Sequence, residues 1–331
     1  MNHVLIVSLS RSGGKLLRML LDGHPEFNVF PFEHWNRPSK NKIPTRRIEM
    51  FDRLSVDEKL ETAGAQHAER KLSRVHPREQ VAEIMRTWRA AAADTRTLPA
   101  MYERLADAYF ASVGGSLDRA VVNHCGSLCR FTREQVDSVF GKGTHLLTIR
   151  DPRAVFSSMQ ALVDGKFTPE RVQQGNVSAS TLKRHLERQE TIDAVSGYLR
   201  EFCEDYRSMV ARYAASRDVI RIRFEDLVTA PESTMRQLAA QLAVGWDPAL
   251  LEPTQLGASH RANSSFSRQG GAIDGRAAHD WVDRIAQPVR KYIEDSLASE
   301  MAALGYQRAG QSGSGLVLET APILRSYGTT S

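Results

Sequence analysis

A chain of 331 residues with 41% hydrophobic and 25% charged residues can bury a sizeable core, and so average a composition excludes a fibrous repeat or wholesale disorder. The formal charge of +5 and a pI of about 9.2 favour an anionic ligand. Charge alone leaves nucleic acid open, but no basic array interleaved with aromatic residues occurs, so no nucleic-acid partner is expected.

In chain order, Val4-Leu5-Ile6-Val7 is a continuous apolar run, too short for a signal-peptide core or a membrane span, and reads as a strand. A Gly-containing turn follows, then Leu16, Leu17, Leu20 and Leu21 at helical spacing, stopped by Gly23 and Pro25. Phe27 to Phe32 is a second strand, ending at Glu33. This strand–helix–strand unit predicts parallel pairing of the two strands with a right-handed crossover. The basic stretch Lys40-Asn41-Lys42 with Arg46-Arg47 reads as a solvated loop or the rim of an entrance for an acidic substrate.

Residues from 45 to about 115 are charged, Ala-rich and helix-favouring, broken by Pro77 and Pro99, and predict a helical insertion covering the sheet. Ala120-Val121-Val122 suggests a short strand, and His145 to Ile149 a clearer one that stops at Arg150. Asp151 as N-cap and Pro152 at the first helical position then open a helix with Val155, Met159, Leu162 and Val163, and Gly165 lies beyond its end. From Leu182 to Tyr213 a helical stripe of Leu186, Ile192, Val195, Leu199, Phe202, Tyr206 and Met209 predicts core packing. Val219 to Phe224 alternates like a strand, and Pro231 opens a helix with Met235, Leu238 and Leu242 before Gly245. Residues 309–331 read as a flexible tail.

The recurring βα rhythm predicts an α/β fold: three layers, a central parallel sheet flanked by helices, in one domain spanning 1–308. Three cysteines, Cys125, Cys129 and Cys203, are an odd count that argues against a disulfide framework and for a reducing, cytoplasmic home. His124-Cys125 and Cys129 lack a second ligand pair at zinc spacing, so buried thiols are expected and no metal site.

The turn Ser10-Arg11-Ser12-Gly13-Gly14-Lys15 carries the chemistry. A helix start presents unpaired N–H groups and the positive end of its dipole, so a Gly-rich strand-to-helix turn is an anion site; the alternative is a purely structural turn. Gly13 and Gly14 are read as allowing close approach of backbone to phosphate oxygens, and Arg11 and Lys15 as cationic donors. An ordinary P-loop has Gly where this chain has Leu9, and Ser or Thr where it has Leu16; without that hydroxyl the magnesium of a triphosphate loses its ligand.

The segment from Ser10 to Leu17, closed by Leu21-Asp22-Gly23-His24-Pro25, resembles the 5′-phosphosulfate loop of the sulfotransferase family, most nearly its bacterial and tyrosylprotein-type members. Gly14 and Lys15 stand where that family usually carries a hydroxyl pair. Leu147 to Val155, with Arg150-Asp151-Pro152-Arg153 and then Ser157-Ser158, resembles its 3′-phosphate motif, including the spacing from Arg150 to Ser158. Arg223-Phe224-Glu225-Asp226-Leu227 resembles a structural strand and turn of the family, and Asn263 to Gly271 a late loop that closes over the nucleotide.

The resemblance implies a P-loop-like fold and transfer of a sulfuryl group from 3′-phosphoadenosine 5′-phosphosulfate to a hydroxyl or amine of a small molecule, carbohydrate or peptide, without a metal. It implies that Arg11 stabilises the sulfuryl oxygens, that Lys15 and the amides from Gly13 to Leu16 hold the 5′-phosphate with Ser12 in the same cofactor-binding turn, and that Arg150 and Ser158 hold the 3′-phosphate, with Ser265 and Arg268 contributed by the late loop. Glu33 is the first candidate for the base, with His34 and then His124 as rivals. A magnesium-dependent P-loop kinase and a non-catalytic nucleotide sensor are the competing readings.

Overall fold

The computed structural model describes residues 3–33, 45–116, 118–126, 131–164, 192–214, 216, 218–259 and 273–308. His34, Ser265, Arg268, Cys129, Leu186, the Lys40-Asn41-Lys42 stretch and the 309–331 tail lie outside the described residues.

Strand β1 (His3–Ser8) is buried along its whole length, as a continuous apolar run in the middle of a parallel sheet must be. Helix α1 (Gly14–Leu21) and strand β2 (Phe27–Glu33) follow. The next stretch is helical, in α2 (Thr45–Glu49), α3 (Val56–Thr62), α4 (Ala65–Leu72), α5 (Arg78–Ala92) and α6 (Leu98–Ser112). The two prolines start helices here: Pro77 caps α5 and Pro99 sits in the first turn of α6, where a missing N–H costs nothing.

Strand β3 (Ala120–Gly126), helix α7 (Arg133–Phe140), strand β4 (Thr144–Ile149) and helix α8 (Pro152–Asp164) come next. Helix α9 (Ile192–Met209) ends in a π-helical turn, Val210–Ala214, and leads to β5 (Val219–Arg223), α10 (Phe224–Thr229) and α11 (Pro231–Gln241). A small hairpin, β6 (Thr254–Gln255) with β7 (Ala258–Ser259), precedes the final helices α12 (Gln287–Ser296) and α13 (Ala298–Ala303).

The five long strands form one parallel sheet in the order β2-β3-β1-β4-β5. β1 and β2 are therefore parallel but not paired, because β3 lies between them. β3 is also longer than its apolar Ala120-Val121-Val122 start suggests, since it continues through the polar Asn123 and His124. A second departure concerns Phe224, read as the end of a strand. It begins helix α10, whose first turn carries Glu225 and Asp226, the charges that favour a helix start.

Alternate residues of each strand feed two cores. Leu5 and Val7 join a larger one with Phe30, helices α3 to α9, α12 and α13; Val4 and Ile6 join a smaller one with α1, α10 and α11. Helices thus cover both faces, which makes the three layers. On α9 the stripe of Leu199, Phe202, Tyr206 and Met209 is buried as expected, and Cys203 on the same helix is a buried free thiol. Among the described residues no helix is long and apolar enough to cross a membrane.

At the N-terminal edge of the sheet, His3 and His145 are buried on neighbouring strands. Burial lowers both imidazoles below their ordinary value, although Glu103 and Asp137 oppose it; His145 Nε2 donates to Asp137 Oδ1 at 2.8 Å. The folded state then resists protonation while the unfolded chain takes protons up below about pH 6.5, so stability present above that value is lost as pH falls toward the folded-state values. Urea midpoints should therefore drop between about pH 7.5 and about pH 5.5, and the drop should be smaller in His145→Gln. An unchanged slope in that variant would remove His145 from the account.

Candidate functional site

Among the described residues the two segments on which the family resemblance rests meet at one point. From β1 the chain leaves toward β2 on one side, and from β4 it leaves toward β5 on the other, so the gap between the C-terminal ends of β1 and β4 is where the connections diverge. In parallel α/β sheets that is where ligands bind. The loops flanking it are Leu9 to Gly13 and Arg150 to Pro152.

The first loop reaches α1 through two left-handed residues, Arg11 at φ 73° and Gly13 at φ 100°. Gly13 is the N-cap residue and no side chain caps the helix, which leaves the first-turn amides of Gly14, Lys15 and Leu16 facing the gap. Leu16 is buried in the smaller core, so only its main chain is available to a ligand. Lys15 is half-buried on the same turn. Ser12 is buried, and its Oγ has no hydrogen-bond partner among the described residues.

Arg11 joins this loop to the second motif twice. Its Nε donates to Ser158 Oγ at 3.0 Å, across 147 residues, and its carbonyl accepts from Arg150 Nη1 at 3.0 Å. The left-handed backbone at Arg11 allows carbonyl and side chain to make these separate contacts; for a non-Gly residue it costs on the order of 1 kcal/mol. Arg150 also donates from Nη2 to Ala277 O at 2.9 Å and lies over the Phe224 ring, 4.2 Å from its centroid. Among the described residues its partners are carbonyls and a ring, with no carboxylate in hydrogen-bond contact. Its Nε is buried without a hydrogen-bond partner among the described residues.

Burial pulls the Arg150 guanidinium down to about 10; Glu225 opposes this and the charge of Arg11 adds to it. A buried cation pressed by a second cation is an environment that an incoming anion relieves. With Ser12 Oγ and Arg150 Nε unsatisfied beside an uncapped helix start, the residues present fit a ligand carrying phosphate groups.

The glycines also have a packing reason, beside the one expected from the sequence. A Cβ on Gly13 would lie 2.5 Å from Phe224 Cδ2, and one on Gly14 would lie 2.5 Å from His124 Nε2 and 2.7 Å from Ser8 Oγ. Their missing side chains make room for the ring beneath Arg150 and for the Ser8–His124 hydrogen bond of 3.2 Å.

His124 is thereby brought beside the first turn of α1, on β3, where its register partner on β2 is Glu33. Glu33 and His124 thus stand side by side at the C-terminal ends of β2 and β3, while His34 lies outside the described residues. The Leu21-to-Pro25 segment has a role the sequence did not disclose. Asp22 Oδ2 accepts from Thr254 Oγ1 and from Gly257 N, both at 2.9 Å, and His24 Nε2 donates to Gly245 O at 2.8 Å. Glu26 Oε1 accepts from Gly245 N at 2.8 Å, so these polar residues anchor the β6–β7 hairpin and the turn before it. A groove of about 800 Å³ between α5 and α6, lined by Thr87, Ala91, Arg96, Ala100 and Arg104, contains none of these groups.

A five-stranded parallel sheet with helices on both faces and a glycine-containing turn that opens a helix after its central strand defines a P-loop-like α/β protein. The chain belongs to the sulfotransferase family, whose profile matches residues 3–248. Among solved structures it resembles the sulfotransferase domain from the curacin biosynthetic pathway, with a TM-score of 0.56 and 16% identity over 92% of this chain and 98% of that one. The sulfotransferase domain from the Synechococcus PCC 7002 olefin synthase gives a TM-score of 0.51 and 16% identity, over 90% of this chain and 94% of that one. At such identities the likeness is one of fold. No curated protein gives a significant match.

Three substitutions at two positions test the loop. Gly14→Ala must displace His124 or Ser8 and should cost about 1–3 kcal/mol in chemical denaturation. Arg11→Gly and Arg11→Ala both lose the Ser158 contact, but only glycine relieves the positive φ, so the glycine variant should be more stable by about 0.5–1 kcal/mol. Equal stabilities would mean that the loop relaxes around Arg11.

Proposed function

We propose that the protein transfers a sulfuryl group from 3′-phosphoadenosine 5′-phosphosulfate to a hydroxyl or amine of an acceptor. The observation that carries this reading is the double link from Arg11 to Arg150 and Ser158, which unites the two phosphate motifs in one site. A nucleotide phosphorylated at both ends of its ribose needs two such anion sites together; a nucleoside triphosphate does not.

In this reading the amides from Gly13 to Leu16, with Lys15 and the Ser12 hydroxyl, hold the 5′-phosphate, and Arg150 with Ser158 holds the 3′-phosphate. Arg11 stabilises the charge that builds on the sulfuryl oxygens and the bridging oxygen as the bond to the donor breaks. Ser265 and Arg268 are assigned to the nucleotide by family resemblance. Glu33 takes the acceptor proton, and His124, paired with Ser8, is the rival base. By analogy with phosphoryl transfer, in-line positioning and charge stabilisation supply the catalysis. Leu16 argues against magnesium-assisted phosphoryl transfer, since the side chain in the place of the P-loop hydroxyl is apolar and packed into the core. The buried free thiol of Cys203 suits a reducing compartment.

Adenosine 3′,5′-bisphosphate without magnesium should raise the melting temperature of the wild-type protein, and the rise should vanish in Arg150→Ala. Stabilisation by magnesium ATP alone would sink the sulfotransferase reading. Once an acceptor is found, Glu33→Gln should lower kcat by about 100-fold or more with little change in the donor KM; a comparable loss in His124→Asn with Glu33→Gln unaffected would transfer the role to His124.

A further inference from the structure

Arg150 is held in place by far more than its own contacts, and the groups that hold it come from distant parts of the chain. The peptide that follows Arg150 is clamped at both ends by buried side chains. Tyr206 Oη donates to the Arg150 carbonyl at 2.8 Å, and Glu225 Oε1 accepts from Asp151 N at 3.0 Å. Phe224, next to Glu225, supplies the ring under the guanidinium.

Glu225 is itself fixed from the far end of the described chain. Tyr306 Oη donates to Glu225 Oε2 at 3.0 Å, and the Tyr306 ring lies under the Arg223 guanidinium at 4.7 Å. Glu225 is 4% exposed and Tyr306 8%, so neither has water as a ready substitute for the other. The segment carrying Tyr306 also touches the turn after Arg150 directly. Ala277 offers its carbonyl to Arg150 Nη2, Glu294 pairs with Arg153, and Trp281 lies under the Arg153 guanidinium at 4.6 Å.

We propose that Tyr306 and Glu225 form a positioning pair that sets the affinity of Arg150 for the phosphate it binds. Neither residue touches the ligand. Glu225 orients the Arg150–Asp151 peptide, and Tyr306 holds Glu225 in the rotamer that does so. A rotation of that peptide would move both the start of the guanidinium side chain and the N-terminus of α8, on which Ser158 rides. The pair would therefore act first on the site built by Arg150 and Ser158, and reach the amides of α1, on the other side of the gap, only indirectly through Arg11. This inference rests on the reading of Arg150 as the 3′-phosphate ligand.

The test compares two probes, adenosine 3′,5′-bisphosphate and adenosine 5′-monophosphate, by calorimetric titration of the full chain. Tyr306→Phe keeps the ring against Arg223 and removes only the hydroxyl. It should weaken the bisphosphate by about five- to tenfold while changing the monophosphate by less than about twofold. A role confined to general stability would weaken both probes alike, and that result, or no change in either, overturns the proposal. Glu225→Gln supplies the second variant: its amide can still accept from Asp151 N and donate to Tyr306 Oη, so it should retain the wild-type preference for the bisphosphate to within about twofold. Loss of that preference in Glu225→Gln would overturn the proposed hydrogen-bond route. If the wild-type protein itself fails to prefer the bisphosphate, the reading of Arg150 fails first and takes this inference with it; a wild-type preference that survives Tyr306→Phe sinks the pair alone.

Discussion

Two guanidinium groups, of Arg11 after β1 and of Arg150 after the neighbouring β4, come together at the C-terminal edge of the sheet, and most of the architecture around them serves to hold that meeting. Burying an arginine costs several kcal/mol in lost hydration, and placing a second cation beside it adds to the cost. The protein meets this with neutral or delocalised partners: the carbonyls of Arg11 and Ala277, the Phe224 ring, and the hydroxyl of Ser158. No carboxylate among the described residues forms an ion pair with Arg150. The result is a fixed positive field with unsatisfied donors, the condition in which an anionic ligand gains most from a preorganised site.

Behind this front lies a second, fully paired network. Asp151 caps α8 by accepting from Arg153 N at 2.9 Å and also binds the Arg153 guanidinium, which reaches on to Glu294. Burial pushes the Glu225 carboxyl up, opposed by the hydrogen bond from Asp151 N and by the charge of Arg150. These groups tie the strand ends of β4 and β5 to α12 and to the chain beyond α13. Rigidity is the physical benefit of such a network when every member is satisfied.

The glycines of the phosphate turn illustrate how site and packing share residues. In the sequence they suggest room for a ligand, and the turn does leave amides open. Yet each missing Cβ is already filled by a neighbour, Phe224 in one case and the Ser8–His124 pair in the other. Ligand geometry and core geometry are coupled at this point, which gives a reason why the turn stays glycine-rich although its lysine and leucine depart from the usual P-loop pattern.

Much of the fold was legible from local pattern. The period change from Val4 to Leu21, the cap at Asp151, the prolines that start helices and the stripe on α9 are all properties of a few consecutive residues, and backbone sterics and side-chain spacing decide them without reference to the rest of the chain. The two segments on which the family resemblance rests stand out for the same reason, since each is contiguous. Strand order was not: nothing in β1 or β2 says that β3 will insert between them, because pairing is decided by which apolar faces can be covered at once. Nor were the partners of Arg150, the hairpin held by Asp22, His24 and Glu26, or the contact of Tyr306 with Glu225. Those depend on residues separated by tens to hundreds of positions, brought within hydrogen-bond reach only after both cores have closed, and a sequence carries no local signal for a distance that the packing of the whole chain determines.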